Sequence, residues 1–269
     1  MKPVTRTARW RGGFVAAALP CGLMLVAAAA GPAVAAGCAF EPQGEGRVAA
    51  VIDSRTFRLE DGRDVRLAGI EPVVAEKANR TSALAAIVAG REVTLRGEDD
   101  TPDRYGRQPA FVFLDDSASA TMVQGLLLAQ GEALVSATVT DKNCAKVLIA
   151  AENAARDAKR GIWADPAALK NAESPGDILA GIGRFAVVEG KVLSVRQAGA
   201  TTYLNFGQSW TQGFAVTISR RATAGLEAAG IIVKSLESQR IRVRGWVEAR
   251  GGPRIEVLRA EQIELLGEN

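Results

Sequence analysis

The chain of 269 residues contains no histidine. That absence excludes Ser-His-Asp and Cys-His nucleophilic mechanisms and histidine-ligated zinc, since each needs an imidazole as base or ligand. Any chemistry must rest on carboxylates, guanidiniums, hydroxyls or a hard metal ion held by oxygen. Cysteine is scarce, with three residues: Cys21, Cys38 and Cys144. No low-complexity tract and no obvious internal repeat is present. A strong charge of one sign is also missing once the N-terminus is set apart. Of the 33 basic residues, Lys2, Arg6, Arg9 and Arg11 lie in the first 36 positions, and none of the 30 acidic residues does. The remainder is near neutral, so affinity for a polyanion has to come from a local cluster.

Those first positions have the order of a secretory signal: a positive stretch, an apolar run over 14–30, then the small residues Ala33-Val34-Ala35. The expectation is a cleaved signal peptide over 1–36 and an exported product, periplasmic or extracellular, with no transmembrane helix in the mature chain. The alternatives are an uncleaved anchor or lipidation at Cys38, although the large apolar residue expected three before that cysteine is missing. Cys21 leaves with the signal. Cys38 and Cys144 form an even pair in an exported chain, which predicts one disulfide, with two free thiols as the alternative. The loop it closes is worth at most ~4–5 kcal/mol in the chain-entropy model.

The rest divides at a stretch rich in proline and glycine. Residues 37–165 form a first segment, 166–183 a linker and 184–269 a second segment. The first reads as α+β. Strand-like runs at 47–52, 56–59 and 64–70 include a hairpin at Glu60-Asp61-Gly62-Arg63. Helical spacing follows at 76–88, strands at 92–96 and 110–114, and helices at 120–130 and 145–159. The second reads as all-β, with strands at 186–195, 202–206, 214–219, 240–249 and 254–257 and one helix at 222–229. Five strands with a helix between the third and fourth is the order of a closed Greek-key barrel of the OB type.

Three stretches carry a family resemblance: VIDSRTFRLEDGRDVRLAGIEP (51–72), DRYGRQPAFVF (103–113) and AAENAARDAKRGIW (150–163). With their spacing they resemble the thermonuclease family, the staphylococcal-nuclease-like OB-folds. The resemblance implies a five-stranded barrel with three helices over residues 45–165, and metal-assisted hydrolysis of DNA and RNA. It implies two carboxylates on one calcium ion, a glutamate that activates water, and two arginines on the phosphate. Transferred to this chain, the arginines fall on Arg66 and Arg107, or else those two bridge surface carboxylates. The first acidic position is Asp53 and the later metal ligand is Glu71.

Two positions depart from the pattern. The family's D-G-D-T reads Asp53-Ser54-Arg55-Thr56, which puts Arg55 where a calcium ligand is expected. The catalytic glutamate is replaced within Pro72-Val73-Val74, and the nearest acid is Glu76, two residues further on. The expectation is that Arg55 neutralises Asp53 and Glu71 in place of a cation. Arg55, Arg66 and Arg107 then cradle a phosphate, with Tyr105 as a stacking or packing ring. No aromatic occurs in residues 131–137, where the family stacks a base. The favoured function is binding of single-stranded DNA, RNA or another phosphate-rich ligand with little or no hydrolysis and no cofactor. One alternative is an active calcium-dependent phosphodiesterase using Asp53, Glu71 and Glu76. The other is an envelope protein-interaction module whose partner docks on the second segment. There, Arg240, Arg242 and Arg244 share one strand face. They suggest a nucleic-acid track near Trp246 and Tyr203, or a solvated face paired to Glu237, Glu248 and Glu256.

Overall fold

The computed structural model describes Met1, Cys38 and residues 40–73, 77–114, 121–209 and 212–267. The expected signal segment and Glu76 lie outside the described residues. Among the described residues, no helix is long and apolar enough to cross a membrane.

The first barrel begins with a long strand, β1 (Glu41–Asp53), which turns at 53–56 into β2 (Thr56–Leu59). The turn is closed by the Asp53 carboxylate, whose Oδ1 accepts the Arg55 N–H at 2.8 Å. A hairpin with Gly62 at φ +89° leads into β3 (Asp64–Leu67). The run read as one strand over 64–70 breaks there. Gly69 turns the chain at φ +75°, so close to Phe111 that a Cβ would sit 2.8 Å from its ring. Residues beyond it form β4 (Ile70–Pro72), which leaves the barrel to pair with β8 (Ala133–Val135).

Helix α1 (Lys77–Val88) leads to β5 (Glu92–Gly97) and β6 (Gln108–Leu114). A short β7 (Thr121–Met122) opens into α2 (Val123–Ala129). The last helix of this half, α3 (Lys142–Asp157), begins three residues before the expected start. Asp141 caps it by accepting the Cys144 N–H at 2.6 Å. Strands β1, β2, β3, β6 and β5 close a five-stranded barrel, with β3 and β6 parallel. Its core includes Phe57, Leu67, Leu95, Val112, Leu127 and Leu148. The Cys38–Cys144 disulfide, spanning a sequence separation of 106, ties the entry of β1 to α3.

The stretch 166–183, read as a linker, is built into the second half. It carries β9 (Leu169–Asn171), parallel to β10 (Phe185–Lys191), and helix α4 (Pro175–Leu179). Ala172 and Ile178 from it are buried in the second core. The run 186–195 divides into β10 and β11 (Ser194–Ala198). There follow β12 (Thr201–Asn205), β13 (Ala215–Ser219), α5 (Arg220–Ala228), β14 (Arg240–Arg250), β15 (Gly252–Val257) and β16 (Ile263–Leu266). The order β11-β12-β13-β15-β14-β10 closes through the near-continuous β10–β11 pair, and β13 and β15 run parallel. Both halves therefore share one strand order with no shared sequence. A small cluster of Leu134, Ala155, Trp163 and Val187 joins the two cores.

Candidate phosphate-binding site

The turn between β1 and β2, strand β3, strand β4 and the turn before β6 bring the predicted site residues together. Arg55 points its guanidinium at Glu71, with Nη1 donating to Oε2 at 2.6 Å. This pair exists because β4 has left the barrel and carries Glu71 next to Leu134 of β8. Glu71 is buried, and its second oxygen accepts the Ser136 hydroxyl at 3.2 Å. Arg55 therefore neutralises Glu71 through its side chain and meets Asp53 only through its backbone N–H, so the expected double neutralisation holds on one side.

Arg107 is fixed by the D-R-Y-G-R turn that contains it. Asp103 Oδ2 accepts its Nε at 2.9 Å and its Nη2 at 2.7 Å, while Asp103 Oδ1 accepts the backbone N–H groups of Tyr105 and Arg107. The Arg107 side chain pulls the Asp103 carboxyl down to about 2, and Asp103 in turn holds Arg107 above its ordinary range. Tyr105 is 66% exposed, with the Arg107 guanidinium 5.0 Å and the Arg104 guanidinium 4.7 Å from its ring centre. That exposure places Tyr105 as a surface ring rather than a packing residue.

Arg66 sits between these pairs. It stands opposite Thr56 on β2 and next to Pro109 on β6. Its Nε is buried with no hydrogen-bond partner, and among the described residues it makes no ion pair. Burial lowers its affinity for the proton, and the nearby Arg55 lowers it further. Arg107 acts the same way, against the opposing pull of Glu71 and Asp103. The three guanidiniums thus share one electrostatic neighbourhood, two of them clamped by carboxylates and one not. Arg55 and Arg107 still have N–H groups free of their carboxylates, since each guanidinium carries five donors.

The calcium site implied by the family resemblance can be tested on these contacts. Calcium takes roughly six to eight oxygen ligands. Here Glu71 is engaged on both oxygens, Asp53 is turned onto a backbone N–H, and a guanidinium stands 2.6 Å from the carboxylate. Among the described residues no group of three or more acidic or cysteine side chains is arranged to hold a metal. The described residues, as they are paired, do not fit the ion. The expected base, Glu76, lies outside the described residues.

The run Arg240, Arg242 and Arg244 is not a free track but an ion-paired face, solvated at Arg240 and closed off at Arg242 and Arg244. Arg240 and Arg242 pair with Glu189, Arg242 also with Glu264, and Arg244 is 1% exposed between Glu152 and Glu264. Their cross-strand neighbours on β10 and β16 carry the carboxylates, so the partners are not Glu237, Glu248 and Glu256. Sequence reasoning missed two site residues. Asp103 had a signal, an acid four positions before an arginine; Ser136 had none.

Comparison with known proteins agrees with the first barrel. A family model described as "Staphylococcal nuclease homologue" matches residues 73–165. A protein of Escherichia coli O157:H7 described as an "Uncharacterized endonuclease" is 32% identical over 126 residues, covering 45% of this chain and 77% of its own length.

Proposed function

Because the chain belongs to the staphylococcal nuclease family, we propose that its first barrel binds the phosphates of single-stranded nucleic acid without hydrolysing them to any significant extent. The observation that carries this reading is Arg66. It is a half-buried guanidinium that among the described residues has no carboxylate of its own, flanked by two arginines that have one each. A phosphate oxygen at Arg66 gives a half-buried charge the direct partner that Glu71 and Asp103, paired elsewhere, do not supply, and reaches the remaining donors of Arg55 and Arg107. Hydrolysis would need charge stabilisation and a proton acceptor at the same place. Arg55 occupies the carboxylate that a metal would take, and the described residues offer no free base beside Arg66.

We place the protein outside the cytoplasm. The signal-like N-terminus supports this, and so does the Cys38–Cys144 bond, which a reducing compartment would not maintain.

The test is fluorescence-anisotropy binding of a labelled single-stranded oligonucleotide, in chelator and in calcium, with a cleavage assay on the same samples. Binding is expected in chelator, falling steeply with salt, and at least tenfold weaker in Arg66→Ala. Calcium-dependent cleavage by the native chain overturns the reading and restores the alternative, a phosphodiesterase using Asp53, Glu71 and Glu76. Binding that ignores both salt and Arg66→Ala favours a protein-interaction module instead.

A further inference from the structure

The second barrel has an outward sheet face that plays no part in the site above. Register places Arg196 on β11 opposite Tyr203 on β12, and Ser194 opposite Asn205. A recess of about 380 Å³ opens on this face, lined among others by Ser194, Arg196, Tyr203, Asn205, Gln208 and Arg254. That volume lies at the small end of the range for ligand sites, roughly 300–1,000 Å³.

Its chemistry is one-sided. Among the described residues two guanidiniums line it and no carboxylate does. Among the described residues neither Arg196 nor Arg254 makes an ion pair, unlike the arginines of β14, which are held by Glu152, Glu189 and Glu264. The acidic residues nearest in register do not enter the recess. Glu248, opposite Arg254, pairs with Arg250 at 3.4 Å, and Glu256, two residues along β15 on the same outward face, does not line the recess. The Arg254 guanidinium lies 5.4 Å from the centre of the Tyr203 ring, so the ring is held in a cationic setting. Asn205 donates one N–H to Ser194 Oγ at 3.2 Å, which leaves its carbonyl oxygen and second N–H for another partner.

We propose that this recess is a second, separate binding site for single-stranded nucleic acid. One base stacks on Tyr203, its edge meets the Asn205 amide, and the flanking phosphates meet Arg196 and Arg254. A ring supplies base affinity without sequence preference, and unpaired guanidiniums supply phosphate contacts. An acidic peptide or an anionic lipid surface would use the arginines but would have no need of the ring and the amide.

The experiment uses the full mature chain and a fluorescein-labelled oligothymidylate of about 15 nucleotides, a length within the usual single-strand footprint. Affinities are measured over a salt series in chelator, in the Arg66→Ala background so that the first barrel's contribution is removed. Binding persists there, and adding Arg196→Ala and Arg254→Ala weakens it tenfold or more. The same pair lowers the salt slope by about 1.4, two phosphate contacts at roughly 0.7 each for single strands. Tyr203→Leu weakens binding about fivefold or more with the slope unchanged. In the unsubstituted chain, an oligonucleotide carrying 5-iodouracil crosslinks to the peptide containing Tyr203, a readout that requires no variant to fold. The proposal is overturned if Arg66→Ala alone abolishes binding. It is also overturned if the double arginine variant leaves affinity and slope unchanged, or if no crosslink forms at Tyr203. Binding that ignores Arg66→Ala but collapses with Arg196→Ala and Arg254→Ala sinks the first-barrel reading and keeps this one.

Discussion

Replacing Arg244 by methionine separates two accounts of how the barrels hold together. In one, the small apolar cluster around Leu134 and Val187 suffices. In the other, a buried ionic network is essential. Arg244 on β14 is 1% exposed and Glu152 on α3 is fully buried. Glu152 Oε2 accepts the Arg244 Nη1 at 3.0 Å and the backbone N–H of Val135 at 2.6 Å. The other end of Arg244 donates to Glu264. Burial pulls the Arg244 guanidinium down, but the two carboxylates outweigh it and hold the group above its ordinary range.

Removing one member of a buried pair costs about 3–5 kcal/mol, because the other is left uncompensated. Here Arg156 remains 3.5 Å from Glu152, and Arg242 remains 3.2 Å from Glu264, so part of the loss is taken up. The expectation for Arg244→Met is therefore about 3 kcal/mol, near the bottom of that range. For a chain of this size that lowers the melting temperature by roughly 6–12 °C. Glu152→Leu costs at least as much, since it also orphans the Val135 N–H at about 1–3 kcal/mol. The double variant removes one charge of each sign and keeps the apolar volume. It should fall short of the sum of the singles by about 2 kcal/mol or more. Urea denaturation followed by tryptophan fluorescence measures all three. A loss below about 1 kcal/mol for Arg244→Met, or strict additivity in the double variant, refutes the network and leaves the apolar cluster as the join.

Two further outcomes follow from contacts nearer the candidate site. Asp103, held down to about 2 by Arg107, contributes stability that is present above the ordinary carboxylate range and is lost as pH falls toward 2. A proton-coupled NMR titration should show its carboxyl titrating near that value, rising toward the ordinary range in Arg107→Ala. A normal midpoint in the native chain would mean that the bidentate contact is not maintained in solution. Gly131, at φ +73°, packs so close to the end of α3 that a Cβ would meet the Arg160 carbonyl at 2.2 Å. Gly131→Ala should destabilise by more than about 1 kcal/mol in the same urea assay, and a neutral result would show that the backbones can part without cost.

Local patterns in the sequence account for much of this architecture. Alternation places β2, β5 and β12 close to their observed limits, and Asp61-Gly62 marks the first hairpin, because each is encoded within a few residues. The break at Gly69 is different. Alternation from Asp64 lapses after Leu67, at Ala68-Gly69-Ile70, but what requires a residue without Cβ there is the turn's positive φ and the approach of Phe111, more than forty positions away. Strands β9 and β16 were missed for a related reason. Three or four residues carry too little periodicity, and it is pairing with β10 and β14 that makes them strands. At the site, the departure at Arg55 could be seen in the motif itself. Its contact with Glu71 depends on β4 leaving the barrel, and the partners of Arg244 stand on α3 and β16, so neither could be reached from local spacing.

The arginines of this chain divide by what stands opposite them, and that division carries the functional argument better than burial alone. A buried Nε without a partner does not mark a site, because Arg96, Arg242 and Arg244 each have one as well as Arg66. Arg242 and Arg244 place their terminal nitrogens on carboxylates, and Arg96 lies over the Phe113 ring. Their charge is already used in holding strands and barrels together. Among the described residues Arg66 has none of these partners, yet two guanidiniums and the carboxylates that neutralise them stand near it. A fold under no functional demand would gain by replacing such a residue with an apolar one of similar volume. On the proposed reading an incoming anion would restore the balance without disturbing Arg55–Glu71 or Arg107–Asp103. The same test separates Arg254 from Arg244. Those residues stand on adjacent strands of one barrel; one faces two carboxylates and the other faces a tyrosine ring in an open recess. On that reading, Arg66 in the first barrel and Arg196 and Arg254 in the second, none of them ion-paired among the described residues, are the guanidiniums that a phosphate from outside would meet.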